Sequence, residues 1–122
     1  MKLIYSPQAR VDLREIKAYI RDNLQNPTAA ENVTQKILKS CSLLKENPLL
    51  GVELSGKVDR ETDLRYLIIN QHIAFYKVDD SAIRVIRIRD ARTNYIYISF
   101  SNRQKTKELR VAWLLFTYAS KG

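Results

Sequence analysis

The spacing of apolar residues divides the chain into one strand, two helices and a run of strands. Residues 2–5 form a short apolar stretch that predicts a first strand. Ser6 then predicts a helix N-cap, with Pro7 at the first helical position, where its missing N–H costs nothing. An apolar stripe at helical spacing marks the buried side of this helix. Its members are Ala9, Leu13, Ile16, Ile20 and Leu24.

A second helix follows after a short connection. Asn26-Pro27 is expected to end the first helix, and residues 28–31 have the spacing of a capping box, which predicts that the second helix begins there. The second helix is expected to end at Asn47-Pro48. Two helices joined so closely must lie nearly antiparallel. The second apolar stripe consists of Ala30, Val33, Ile37, Cys41 and Leu44.

The remainder of the chain predicts an antiparallel sheet. Residues 47–63 are expected to form a loop, because they contain Pro48, Gly51 and Gly56. The predicted strands are residues 64–70, 73–78, 82–89 and 95–100. Their first connections are short enough only for hairpins. The pattern therefore predicts an α+β fold, in which an N-terminal strand and an antiparallel helical hairpin pack on an antiparallel meander sheet.

Both faces of the predicted sheet carry apolar residues, and the helical hairpin can cover only one of them. Leu67 and Ile69 lie on one face, and Tyr66 and Ile68 on the other. The second face therefore needs another cover, which is the C-terminal tail, a second copy of the chain or a partner chain.

The last residues form an extension of the domain. We expect one domain over residues 1–100, and residues 101–122 as a basic, then apolar extension that is not a separate domain. Residues 111–119 are apolar almost all round, and a helix of that kind must be buried against something. This helix-like tail either closes the open sheet face or forms an interface with a partner chain or a second protomer, making a homodimer. Trp113 and Phe116 are the predicted interface residues.

Composition narrows the class of protein. The chain has 122 residues, enough for one domain, and its 21 basic against 13 acidic residues give a net charge of +8. Such a balance favours nucleic acid, an anionic surface or an acidic protein as a partner. The single cysteine, Cys41, excludes an internal disulfide and is expected in the core. We expect no metal, no cofactor, no membrane span and no signal peptide, and therefore a cytoplasmic protein.

The arginines near the end of the sheet are the main candidates for binding. A strand that carries this much positive charge is unusual, because an unpaired buried guanidinium is costly. We therefore expect these side chains to line a surface that meets something anionic. Arg84, Arg87 and Arg92 are the predicted phosphate- or partner-binding residues.

Several passages also resemble a known family. Tyr5-Ser6-Pro7-Gln8-Ala9 resembles its opening, and Arg65-Tyr66-Leu67 with residues 73–78 resembles its hairpin. Residues 86–92 fall where many members have an arginine–hydrophobic–histidine run followed by a second arginine. In this order, over about residues 2–98, the chain resembles the RelE/ParE superfamily of toxins from bacterial type II toxin–antitoxin pairs. The tail departs from that pattern, as does Arg89, where a histidine is common.

The RelE branch of this resemblance implies a ribonuclease that cuts messenger RNA on the ribosome. By position, Arg65, Arg89 and Tyr95 would be its catalytic residues, with arginine binding the phosphate. Each also has a structural interpretation. Arg65 could pair with Asp63 or Glu61, Arg89 could pair with Asp90, and Tyr95 could be a half-buried core aromatic.

The ParE branch implies a different activity, in which DNA gyrase is poisoned by protein contact and no acid–base residues are needed. The Asn26-Pro27 corner, the Asn47-Pro48 exit and residues 86–92 resemble this branch more closely. The sequence therefore favours a ParE-like gyrase inhibitor, of the kind that serves plasmid stabilisation, neutralised by an acidic antitoxin. The alternatives are a ribosome-dependent mRNA endoribonuclease and a degenerate member that only binds its antitoxin.

Overall fold

The computed structural model describes residues 1–55 and 62–90, which fold as two helices on one face of a five-stranded sheet. The predicted strand 95–100 and the tail lie outside these residues. The helices and strands, in chain order, are β1 (Lys2–Tyr5), α1 (Pro7–Ala18), α2 (Pro27–Ser42), β2 (Val52–Glu53), β3 (Arg65–Ile69), β4 (His72–Val78) and β5 (Ala82–Asp90). A π-helical turn (Tyr19–Asn23) extends α1, and a 3₁₀ turn (Leu43–Lys45) follows α2.

The strands lie in the order β1-β5-β4-β3-β2 across the sheet. β3, β4 and β5 form the predicted antiparallel meander. β1 pairs in parallel with β5, so that Lys2 lies opposite Ala82. β2 falls within the predicted loop and pairs with the start of β3, so that prediction was wrong over Val52 and Glu53. The α+β architecture is confirmed.

The start of α1 follows the sequence prediction, whereas the start of α2 does not. The Ser6 hydroxyl accepts a hydrogen bond from the Ala9 amide at 3.0 Å, as an N-cap does. At α2 the cap is Asn26, whose Oδ1 accepts from the Ala29 amide at 3.0 Å, and Pro27 is the first helical residue. The predicted capping box at residues 28–31 was wrong because Asn-Pro supplies the same cap-then-proline pair as Ser6-Pro7.

The apolar stripe of α1 ends earlier than predicted. Ala9 is fully buried, but Leu24, the last predicted member, is 57% exposed. The wider π-helical turn at residues 19–23 changes the angular spacing of the helix, so the 3.6-residue period no longer carries Leu24 to the buried side. The stripe of α2 is confirmed, since Ile37, Cys41 and Leu44 are at most 1% exposed.

The main core lies between the helices and one face of the sheet. The sheet contributes a set of buried side chains to it, namely Ile69, Ala74, Tyr76, Ile83, Val85 and Ile88. The opposite surface, which we call the second face, carries Tyr66 and Ile68 from β3 and their register partners Phe75 and Ile73 from β4. The predicted division of β3 between two faces is therefore confirmed.

A buried carboxylate joins α1 to the edge of the sheet. β1 pairs with β5 only as far as Val85, so no described strand lies beside the edge of β5 beyond that point. Asp12 lies there, 6% exposed, and its Oδ2 accepts from the Ile88 amide at 2.9 Å. The same carboxylate accepts from Arg87 Nε at 2.9 Å and Nη2 at 3.2 Å. One side chain thus satisfies an edge amide and neutralises a strand arginine.

We predict that Asp12→Ala destabilises the protein by about 3–5 kcal/mol, because it leaves the Arg87 charge and the Ile88 amide without their partner. Urea unfolding measures the change. The control is Glu31→Ala, which breaks the exposed pair between Lys17 Nζ and Glu31 Oε2, 2.8 Å apart, and should cost far less. Equal losses in the two variants would contradict the role given to Asp12.

We predict that Cys41 reacts with thiol reagents only when the protein unfolds. The side chain is 0% exposed, and burial raises its pKa from 9.0 to about 11, so the thiolate is scarce at neutral pH. The raised pKa also means that this thiol's contribution to stability is complete below pH 9 and is lost as the pH rises through about 11. Labelling rates across a urea titration test this, and fast labelling of folded protein would contradict it.

Candidate functional site

Two of the three arginines on β5 are held by carboxylates. Arg84 Nε lies 2.8 Å from Asp79 Oδ2, in the turn between β4 and β5. Asp79 Oδ1 also accepts from the Ser81 and Ala82 amides at 3.0 and 2.8 Å. The hydrogen bond from Arg84 has the largest effect on the pKa of Asp79, and those from the two amides come next. Together they hold this pKa well below its usual range. Arg87 is held by Asp12, so both guanidinium groups have charge partners within the protein.

The third β5 arginine, Arg89, has no such partner among the described residues. Within residues 1–55 and 62–90 no carboxylate lies within ion-pair distance of it, and in particular Asp90 does not pair with it. It lines a cavity of about 560 Å³ beside the turn that joins the two helices. The apolar wall of that cavity includes Ile16, Ile20 and Val33. Arg89 is therefore the β5 arginine that has no carboxylate partner within residues 1–55 and 62–90.

Arg65, at the start of β3, holds the loop that follows α2. Its Nη2 donates to the Gly51 carbonyl at 3.0 Å and to the Leu49 carbonyl at 3.4 Å. Its Nη1 lies 3.3 Å from Glu53 Oε1, and no ion pair joins it to Asp63 among the described residues; Glu61, the other suggested partner, lies outside them. The side chain is only 17% exposed. This loop, residues 47–54, is thus fixed to the sheet by a charged side chain that binds its backbone.

Tyr76 fixes the same loop, residues 47–54, through its hydroxyl group. Its hydroxyl accepts from the Gly51 amide at 2.8 Å and donates to the Pro48 carbonyl at 2.9 Å, while the whole side chain is 0% exposed. A Cβ at Gly51 would lie 2.5 Å from the Tyr66 carbonyl oxygen and 2.6 Å from the Tyr76 hydroxyl, so only glycine fits there. Arg65 and Tyr76 face each other in the β3–β4 register and act together.

The structure does not bring the described catalytic candidates together. Arg65 is level with Tyr76 and Val85, whereas Arg89 is level with Ile73, three residues further along β4. With two strand spacings between them, their Cα atoms are roughly 14 Å apart. Tyr95, Arg92, Trp113 and Phe116 lie outside the described residues, so their roles stay predictions.

Sequence reasoning missed two of the residues that organise this region. Asp12 falls three residues after Ala9 and beside Leu13, on the apolar stripe of α1, and a carboxylate on a buried stripe signals an internal partner. Tyr76 appears in the sequence as one aromatic in an apolar strand. Nothing in the spacing connects it to Pro48 or Gly51, because that contact depends on the path of the loop.

Other kinds of site find no support within the described part of the chain. There, no three His, Cys, Asp or Glu side chains are arranged to hold a metal ion. Among the same residues, no helix combines the length and apolarity that a membrane span requires.

Comparison with known proteins decides the family. A sequence model of the ParE toxin of type II toxin-antitoxin systems, parDE, matches residues 3–95, which is most of the chain. The chain belongs to the ParE toxin family. The predicted superfamily and its favoured branch are thereby confirmed, and the chain is a ParE-like toxin.

A solved structure agrees with this assignment at the level of the fold. The chromosomal ParDE TA system from P. aeruginosa includes a chain that matches with a TM-score of 0.61 at 22% identity. The match covers 74% of this chain and 95% of that one. The curated proteins contain no match. The ParE family model ends at residue 95, so the whole tail, residues 101–122, lies beyond it.

We predict that Tyr76→Phe costs about 1–3 kcal/mol, because the Gly51 amide and the Pro48 carbonyl lose their buried partner. Gly51→Ala should cost more, since its methyl group has no room. Urea unfolding measures both, and limited proteolysis reports release of residues 47–54. The control is Tyr19→Phe, because Tyr19 is 50% exposed and its loss should leave stability unchanged. If Tyr76→Phe matches that control, the hydroxyl does not hold the loop.

Proposed function

We propose that this ParE-family toxin inhibits DNA gyrase by protein–protein contact and is neutralised by an acidic cognate antitoxin. The observation that carries the choice of mechanism is the internal engagement of Arg65. A ribonuclease of the alternative branch would use this arginine to stabilise charge on the phosphate. Here its guanidinium already binds two carbonyl oxygens and Glu53.

Moving Arg65 to an RNA phosphate would have a structural cost. The Gly51 and Leu49 carbonyls would lose their donor, and residues 47–54 would lose one of their two attachments to the sheet. The Arg65 Nε atom is buried without a hydrogen-bond partner, so the inner edge of the guanidinium also does not face solvent. These contacts support a structural role for Arg65.

The distribution of charge supports a protein contact instead. Because Arg84 and Arg87 have carboxylate partners, Arg89 is the β5 arginine with binding capacity left. Arginine beside apolar surface is the composition typical of residues that dominate protein interfaces. Arg89 adjoins such a surface in the cavity at the hairpin end. We therefore propose that Arg89 belongs to the contact surface for the target.

The antitoxin proposal rests on net charge as well as on family. With a charge of +8, the chain should attract an acidic partner and associate with it faster at low ionic strength. Gyrase is an intracellular target, so the proposed site of action is the cytoplasm.

We expect the purified full-length chain to inhibit DNA supercoiling by gyrase and to leave ribosome-bound messenger RNA intact. Arg89→Ala should raise the concentration for half-inhibition by about tenfold, which corresponds to about 1.4 kcal/mol of binding. Arg84→Ala is the matched control, because it removes an arginine from the same strand that already has a partner. Thermal unfolding of both variants confirms that each is folded.

The ribonuclease alternative predicts the opposite result in the same assays. Messenger RNA would be cut in translating ribosomes, gyrase would be unaffected, and Arg65→Ala would abolish cleavage. A third result is a folded chain that binds its antitoxin but affects neither gyrase nor messenger RNA. That result would favour the alternative of a degenerate family member that only binds its antitoxin.

A further inference from the structure

The outer side of the two helices carries positive charge that the described residues do not neutralise. Residues 7–45 contain seven basic and four acidic side chains. Three of the four acidic side chains are already used in ion pairs, with Arg87, Lys17 and Arg21. The other basic side chains of this stretch are exposed and form no ion pair within residues 1–55 and 62–90. They are Arg10, Arg14, Lys36, Lys39 and Lys45.

Three of these cations lie together at one end of the helical hairpin. The 2.8 Å contact between Lys17 Nζ and Glu31 Oε2 shows which turns of α1 and α2 are level. Arg10 lies seven residues before Lys17, and Lys39 lies eight residues after Glu31, which is about two helical turns in each case. Because the helices run in opposite directions, Arg10 and Lys39 are level with each other. Arg14 lies one turn from Arg10 on the same side of α1. We call these three cations, Arg10, Arg14 and Lys39, the basic patch.

The start of α1 adds to the positive potential of the basic patch. The free backbone amides at the N-terminal end of a helix carry partial positive charge, and a carboxylate in the first turn would offset it. α1 has no acidic residue in its first turn. Glu15 follows Arg14 in the chain, but it lines the cavity that Arg89 also lines. The basic patch is therefore suited to an anionic partner.

The surroundings of the basic patch favour a phosphate backbone over a protein surface. Every exposed large apolar side chain of the described residues lies outside α1 and α2. Protein interfaces depend on apolar and aromatic anchors, which the outer side of these helices lacks.

The same surroundings favour duplex DNA over a single strand. Proteins bind single-stranded nucleic acid by stacking its bases on aromatic side chains, and neither α1 nor α2 contains an aromatic residue. Duplex DNA needs only cations for backbone binding, because it presents one phosphate charge about every 1.7 Å along its axis.

We infer that the basic patch binds the phosphate backbone of duplex DNA without reading its sequence. The three side chains donate to phosphate oxygens, so the contact supplies affinity and orientation but no base recognition. The patch lies at the end of the hairpin away from the cavity beside Arg89, and it is a separate surface. The inference does not rest on the choice of target. If gyrase is the target, as proposed, the patch would hold the toxin near the DNA on which that enzyme acts.

The test measures binding of the purified full-length chain to a fluorescent DNA duplex of about 20 base pairs, by anisotropy, from about 50 to 200 mM salt. No gyrase is present, so the result is independent of the proposed toxin activity. The variant is Arg10→Gln/Arg14→Gln. The matched control is Lys17→Gln/Arg21→Gln, which removes the same charge further along the same helix from cations that carboxylates already hold. Thermal unfolding verifies that both proteins are folded.

We expect the unmodified chain to bind the duplex with an affinity that falls steeply as salt rises. Arg10→Gln/Arg14→Gln should reduce the slope of log affinity against log salt by about 1.8, because each phosphate contact contributes about 0.9. Its affinity at the lowest salt should fall at least about tenfold. The control should change the slope and the affinity much less. Arg10→Lys/Arg14→Lys keeps the charge and should retain the slope.

Three outcomes would overturn the inference. Equal losses in the glutamine variant and its control would show that net charge alone attracts DNA. Tighter binding to single-stranded RNA of the same length, or to polyglutamate, would assign the basic patch to that class of ligand. No binding of the unmodified chain to the duplex at about 50 mM salt would remove the basis for the proposal.

Discussion

The Asp12 carboxylate is the contact on which the arrangement of helix and sheet depends. β1 is too short to cover the whole edge of β5, and α1 completes that edge with side chains instead of backbone. The Ser6 hydroxyl donates to the Ile86 carbonyl at 2.8 Å, and Asp12 accepts from the Ile88 amide. These contacts lie on either side of the irregular register of β5 opposite Phe75 and Tyr76. An exposed row of edge amides and carbonyls is thereby closed to other chains.

The same contact explains how a strand rich in arginine can lie inside a domain. A guanidinium group costs little to bury when its hydrogen-bond donors are matched, and much when they are not. Arg87 is paired with Asp12 and Arg84 with Asp79, and the two Nη atoms of Arg65 bind carbonyl oxygens and Glu53. Positive charge in this sheet is therefore mostly structural.

The sequence predicts most of the fold because most of the fold follows local spacing. Residues that are close together in the sequence determine the helical stripes, the Ser6 cap and the hairpins that join β3, β4 and β5. What could not be predicted depends on contacts between distant residues. No periodic pattern in the sequence marks the π-helical turn that exposes Leu24, the short strand β2 or the hydrogen bond from Tyr76 to Pro48. For the site, the arginines are found easily, but their carboxylate and carbonyl partners lie up to 75 residues away.

The parallel pairing of β1 with β5 has a consequence for the order in which the molecule folds. Lys2 is made first, yet its partner Ala82 lies 80 residues further along the chain. The helical hairpin and the meander are local and can form early, whereas closing so long a loop is slow. During synthesis β1 therefore stays unpaired until β5 has left the ribosome. Until then Asp12 of α1 also lacks its hydrogen bond from the Ile88 amide. The five-stranded sheet can therefore be completed only after β5 has been synthesised.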